Sequence, residues 1–283
     1  MTNRYKTDKN SQITMRKYLF ILAMAFVSSA YSQTLESKVS AKLNEAIAES
    51  HAINGSVAIM EVSTGKLLMS IGDIEKVQPT KIFTPYALLA CLETGNLQLT
   101  DKIDTGNGVY VNGTDTIKDH NYRLGGYGVI SVLDGFTHYS DIAMLKAIGK
   151  AFKQPSDYQS QLEAIGISSI DNLQYNASLL QILSLYRAVA NNSIKAEANN
   201  VAAIKQALKS NMAAVLGKQL ASDKTEVAAY SRTTILENCT YKTDACGYTP
   251  QYAIIVSIEQ ANRPLQPNIC SKLFHDIVEL MAE

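Results

Sequence analysis

Neither sign of charge predominates in this chain: 26 basic residues are balanced by 26 acidic ones. A nucleic-acid binder shows a basic excess or stripe, so that class of partner is not expected. Cysteine is scarce, with 4 in 283 residues. There is no Cys-x-x-Cys, and His51, His120, His138 and His275 are scattered, so no metal site and no cofactor are expected. Internal repeats and low-complexity linkers are absent, which points to one domain. Long hydrophobic runs are also lacking. The apolar stretch Tyr18 to Val27 is too short to span a bilayer. It follows Arg16 and Lys17 and precedes the small residues Ser28 to Ser32, the layout of a secretory signal with cleavage before Gln33. The polar stretch Thr2 to Thr14 has no place in such a signal, so Met15 reads as the start. Residues 1–32 are thus expected to be an extension and signal, leaving no stable membrane span, and 33–283 the mature domain. Hydrophobic content of 46% and charged content of 18% suit a globular protein. In an oxidising compartment Cys239 and Cys246, flanking a polar stretch that reads as a hairpin connection, can pair; two free buried thiols is the other reading.

Apolar residues Leu35, Val39, Leu43 and Ile47 share one helix face. Ser56 to Val62 and Leu67 to Gly72 read as strands joined by the turn Ser63-Thr64-Gly65-Lys66. Tyr86 to Glu93 is a helix ended by Thr94-Gly95. The Gly-, Asn-, Asp- and Thr-rich stretch Asp101 to Asn121 suits a long loop with short strands. Further helices are expected from Ile130, over Asp141 to Gly149, Ser178 to Ala190, Asn200 to Leu216 and Ser271 to Met281. Val227 to Leu236 and Tyr252 to Glu259 read as strands. This order gives an α+β domain: an antiparallel sheet from both chain ends with helices inserted between.

Five segments carry a more specific signal. Pro79-Thr80-Lys81-Ile82-Phe83-Thr84-Pro85 runs into the apolar helix ending Leu92-Glu93. Gly55 to Lys66 is a hairpin, and Ile117-Lys118-Asp119-His120 leads into a Gly-rich stretch. Asn176 to Asn192 is a long amphipathic helix, and Gly247 to Ile258 a strand pair. In this order they resemble the transpeptidase domain of penicillin-binding proteins, of the serine beta-lactamase/transpeptidase-like superfamily, across nearly the whole mature chain. The resemblance implies a beta-lactamase/transpeptidase-like fold and a location in the bacterial envelope, periplasmic or extracellular.

Every catalytic motif departs from that family's pattern. The family places Ser-x-x-Lys at the helix start, where the Ser attacks a D-Ala-D-Ala carbonyl and the Lys is its base. Here those positions read Lys81 and Thr84. The only literal Ser-x-x-Lys, Ser63 to Lys66, lies in a hairpin turn and cannot stack its side chains one helical turn apart. The Ser-x-Asn positions read Tyr139-Ser140-Asp141. An ionised Asp cannot donate as the Asn does, and Ser140 or Asp141 reads equally as a helix cap. The Lys-Thr-Gly positions read Arg232-Thr233-Thr234. Arg binds carboxylates bidentately, but no Gly is present to let a substrate backbone pass close; a solvated strand charge is the bland reading of Arg232. Lys242-Thr243-Asp244 imitates the motif but reads as part of the hairpin loop. No catalytic residue is therefore expected. The expectation is an exported transpeptidase-like domain, catalytically inactive, that binds a peptidoglycan stem peptide or an envelope protein. Lys81, Ser140, Arg232 and Thr233 are the candidate ligand contacts. The alternatives are an active penicillin-binding acyltransferase with unorthodox residues, Thr84 or Ser140 among them, and an assembly factor whose cleft is filled by Tyr139 and Tyr230.

Overall fold

The computed structural model describes residues 35–167, 170–171, 174–236, 240–261 and 268–283. The segment read as extension and signal, 1–32, and Cys239 lie outside these residues. The chain divides into two compact units, Met1–Lys42 and Leu43–Glu283. Residues 35–42 of the first are helical, and the second opens with helix α1, residues 43–50.

The second unit is built on β1 (Asn54–Glu61) and β2 (Leu67–Ile71), which pair as an antiparallel hairpin with a register shift between Ile59 and Met60. The short β3 (Gln78–Thr80) leads to α2 (Thr84–Glu93), and β4 (Lys102–Asp104), β5 (Val109–Asn112) and β6 (Asp115–Lys118) follow. Next come β7 (Val129–Ser131), α3 (Val132–Thr137), α4 (Asp141–Ala151) and α5 (Pro155–Ala164). β8 (Ile170–Asp171), β9 (Gln174–Ala177), α6 (Leu179–Ala190) and α7 (Ala198–Ala213) complete the inserted region. β10 (Ala228–Ile235), β11 (Tyr241–Tyr248), β12 (Tyr252–Gln260) and α8 (Ile269–Met281) close the fold.

The main sheet has five strands in the order β10-β11-β12-β1-β2, all neighbours antiparallel. Strands from both chain ends therefore meet at the β1–β12 pair, where Val57 faces Val256. Helices cover both faces. Alternate residues of β1 and β12, among them Ala58, Met60, Ala253 and Ile255, join Ile182, Leu183 and Tyr186 of α6 in one core. The residues between them, such as Val57, Ile59, Ile254 and Val256, point the other way by the two-residue repeat of a strand, towards the side where α8 packs on β11 and β12. Burial on both faces is why β12 reads Ala-Ile-Ile-Val as an unbroken apolar run.

Two expectations are corrected. Thr240 to Ala245 is not a hairpin connection: Tyr241–Tyr248 is a full strand between β10 and β12. Its polar residues are accommodated by a buried network. Asp244 accepts from Thr80 Oγ1 at 2.7 Å and Ser257 Oγ at 2.7 Å, and it pairs with Lys242 Nζ at 3.4 Å. Cys246 lies on this strand; Cys239, the other member of the possible pair, lies outside the described residues. Cys246 is a free, buried thiol. Ile130, expected to open a helix, sits in β7, and the helix begins at Val132 behind a capping box formed by Ser131 and Asp134. The helix α5 was not foreseen, because only Tyr158 and Leu162 of its residues are buried and the apolar face is thin.

Candidate functional site

All three departed motifs converge on one place. Lys81 lies in the turn between β3 and α2, and its N–H donates to Thr234 Oγ1 of β10 at 3.0 Å. Thr234 is fully buried, so it does not crowd an open groove; it ties the edge strand to the Lys81 turn. Asp141 is the first residue of α4 and stands between the two cations. Its Oδ2 lies 2.9 Å from Lys81 Nζ, and its Oδ1 accepts from the Arg232 guanidinium. The first position of one motif, the last of the second and the first of the third thus form a single Lys–Asp–Arg ion triad.

The electrostatics follow from this geometry. Burial pushes the Asp141 carboxyl up, but the Arg232 and Lys81 charges outweigh burial and hold it below the usual carboxylate range. Burial likewise opposes the charge on Arg232, and Asp141 overrides it, so the guanidinium stays protonated. Arg232 is only 8% exposed, and a second guanidinium nitrogen donates to Tyr139 O at 3.2 Å, so it is not a solvated strand charge.

Three hydroxyls at the motif positions are already committed. Thr84 is 1% exposed and its Oγ1 donates to Lys81 O at 2.9 Å. Ser140 is fully buried: its Oγ donates to Asp119 Oδ2 at 2.6 Å and accepts from Ala143 N–H at 2.9 Å. It is the N-cap of α4, so the capping reading of this residue holds. Thr233 Oγ1 lies 2.9 Å from Thr243 Oγ1. Burial pushes the Asp119 carboxyl up, against the bonds it accepts from Ser140 and from Ile142 N–H.

Tyr139 occupies the serine position of the second motif with φ +58, a left-handed conformation uncommon outside glycine, Asn and Asp. Several contacts hold it there. Its ring stacks on Tyr230 at 4.6 Å and an interplanar angle of 12°, Tyr230 stacks on Phe136 at 4.6 Å, and the Arg232 guanidinium lies 5.8 Å from the Tyr139 centroid. Asn211 Nδ2 from α7 donates to Tyr139 OH at 2.9 Å and to Ala229 O at 3.0 Å. Burial pushes the Tyr139 phenol up, so it stays protonated at neutral pH.

A cavity of about 470 Å³ opens beside the triad. Arg232, Thr233, Tyr139 and Asp141 border it, with Ser271 at the start of α8 and Lys118 at the end of β6. Of the candidate ligand contacts, Arg232 and Thr233 face this space, whereas Lys81 and Ser140 are not part of its wall. Asn211, Asp119 and the α8 residues were missed as site components. Asp119 alone left a signal, in the segment Lys118-Asp119-His120 that resembled the approach to the second motif.

No protein-family model and no curated protein matches this chain in sequence. Solved structures do match in fold. The transpeptidase domain of Burkholderia pseudomallei penicillin-binding protein 3 aligns with TM-score 0.73 at 16% identity, covering 88% of this chain and 93% of that one. A putative peptidoglycan glycosyltransferase from Atopobium parvulum aligns with TM-score 0.76 at 12% identity over 88% and 77% of the two chains. A Mycobacterium penicillin-binding protein 3 complexed with aztreonam gives TM-score 0.71 at 16% identity over 88% and 76%. The chain has the mixed helix and antiparallel-sheet fold of penicillin-binding protein transpeptidase domains, as the order of its motifs implied.

Proposed function

We propose that this protein is an exported, catalytically silent transpeptidase-fold domain that works in the bacterial envelope by binding cell-wall peptide or a protein partner. One observation carries the reading: the Lys81–Asp141–Arg232 ion triad joins positions that, in the resembling family, hold the nucleophile, the amide donor and the basic residue. Acyl transfer needs a hydroxyl on the open surface with a base in reach. The hydroxyls of Thr84 and Ser140 are buried and bonded to Lys81 O, Asp119 and Ala143 N–H. A swapped pair with Lys81 as base and Thr84 as nucleophile is disfavoured further, because the Lys81 ammonium is held in an ion pair. Export rests on the signal-type pattern of Met15 to Ser32.

The test is covalent labelling. Purified protein incubated with fluorescent penicillin is expected to give no covalent band after denaturing electrophoresis. A band lost in Thr84→Ala or Ser140→Ala would overturn the proposal in favour of an unorthodox acyltransferase. Isothermal titration with a D-Ala-D-Ala-terminated peptide then separates the two binding modes: carboxylate-dependent heat assigns the cleft, and none at millimolar peptide assigns a protein partner.

A further inference from the structure

Between Asp119 and Gly126 the chain makes a short turn at the edge of the 470 Å³ cavity. His120 borders the cavity, and Tyr122–Leu124 form a single 3-10 turn. Both ends of the segment are anchored. Asp119 N–H donates to Gly108 O at 3.0 Å, and its carboxylate accepts from Ser140 Oγ. Gly126 packs so closely on the Asn107 backbone that a Cβ there would clash with it. The middle is held loosely. Leu124 is 89% exposed, and Gly125 sits at φ +95 with open space where a Cβ would stand. Asn121 Oδ1 is buried and has no hydrogen-bond partner among the described residues, which costs this arrangement stability.

Among the described residues one side-chain hydrogen bond ties 120–125 to the frame: His120 Nε2 lies 2.8 Å from Tyr127 OH. The Tyr127 ring in turn stands edge-to-face on His138, with centroids 4.7 Å apart at 86°, and His138 directly precedes Tyr139. Histidine is the side chain that gains charge between pH 8 and 5. The Tyr127 phenol, pushed up to about 12 by burial and by Asp119, keeps its proton throughout. It can donate to Nε2 only while that nitrogen is bare. Among the groups facing His120, Asp119 favours its charge, and His138 and Arg232 oppose it. Lys118 lies on the same wall, Asp141 is taken by Lys81 and Arg232, and Asp134, within electrostatic reach of His138, is bonded to Ser131. Partial burial, with His138 and Arg232, outweighs Asp119 and holds the His120 imidazole below its ordinary range. A base so held disfavours its protonated form in place, so acid shifts the balance towards the arrangement in which the imidazole has left.

We infer that the His120–Tyr127 bond is an acid-sensitive latch: protonation of His120 releases the turn 120–125 from the cavity wall and so regulates access to the cavity. Its functional meaning rests on the reading of the cleft as a binding site; the latch itself does not.

The experiment is amide hydrogen exchange of the full chain by NMR from pH 8 to 5, each rate divided by the intrinsic rate at that pH. The Tyr122 and Leu124 amides report, since they donate to Asp119 O at 3.1 Å and Asn121 O at 2.8 Å. Their protection is expected to fall at least five-fold as His120 titrates, followed by its own imidazole signal. Tyr127→Phe is expected to show the low protection already at pH 8, and His120→Gln to show no step. His275→Gln, outside the cavity wall, is expected to keep the parent's step. The inference is overturned if the parent shows no step, if Tyr127→Phe is protected like the parent at pH 8, or if His275→Gln loses the step. A step that persists in His120→Gln also overturns it and belongs to Asp119, whose carboxyl burial pushes up. Exchange is blind to acylation and penicillin labelling is blind to the latch, so the two readings fail separately.

Discussion

Asp141 has to hold two cations, and removing it shows what the triad is worth. Breaking a buried ion pair by deleting one partner costs about 3–5 kcal/mol, and a partly exposed pair costs less. Asp141 is 20% exposed and Arg232 8%. Asp141→Ala is therefore expected to destabilise by about 2–3 kcal/mol, read as a lower urea midpoint at unchanged slope. The pH dependence has a definite sign. The carboxyl's folded value lies below its unfolded one, so its stabilisation is complete above the ordinary carboxylate range. It is lost as pH falls through the lowered folded value. Asp119 works in the opposite direction: its raised folded value means that its ionised form costs stability, and protonation relieves that cost. Below about pH 4, the parent is expected to lose stability more steeply than Asp141→Asn, measured by thermal unfolding across pH. A flat parent profile there would show that the triad contributes little. Ser140→Ala removes a cap and leaves Asp119 without its hydroxyl donor; about 1–2 kcal/mol is the expected loss by the same measurement.

Among the elements, those with strong periodicity were legible and those whose polar residues are satisfied at long range were not. The hairpin of β1 and β2 and the helices α2, α4 and α6 declare themselves through apolar spacing and caps. β11 does not: Lys242, Thr243 and Asp244 read as loop because nothing nearby in sequence explains a buried charge. The explanation lies at Thr80 and Ser257, which are distant in sequence and reach Asp244 only in the folded sheet. The same holds at the site. Lys81, Asp141 and Arg232 were each legible as motif positions, but their mutual neutralisation was not, since 60 residues separate Lys81 from Asp141 and 91 separate Asp141 from Arg232. Gly247 shows how tightly β11 must meet its neighbour. A Cβ there would strike the Ala229 side chain and lie 2.6 Å from Ala228 O. Gly247→Ala is expected to cost about 1–3 kcal/mol through forced separation of β10 and β11, and thermal unfolding checks it. Ala253→Gly, on the neighbouring β12, carries no such clash and is the control for a generic strand effect.

For the whole molecule, the question is whether restoring the missing catalytic pair restores the chemistry. The fold places Lys81 and Thr84 one turn apart at the start of α2, so Lys81→Ser with Thr84→Lys rebuilds the residue types of the family's first motif in place. Three features of the surrounding structure still oppose acylation. Position 84 is 1% exposed, and a lysine there would enter a packed core that holds Thr84. Asp141 would keep its pair with Arg232, so no basic group of the third motif position would be freed for a ligand. Tyr139 would still stand at the second motif's serine position, fixed by the Tyr230 stack and the Asn211 bond. The double variant is therefore expected to give no covalent band with fluorescent penicillin while keeping a folded circular dichroism spectrum. Extending it with Tyr139→Ser and Asp141→Asn removes the stack and the internal carboxylate together, and restores Ser-x-Asn beside the new Ser-x-x-Lys. If that quadruple variant labels where the double does not, the block lies in the side chains that fill the cleft, and the backbone frame of a transpeptidase survives beneath them. Labelling of the double variant alone would instead show that only the first motif separates this protein from an enzyme, and that the ion triad is no barrier.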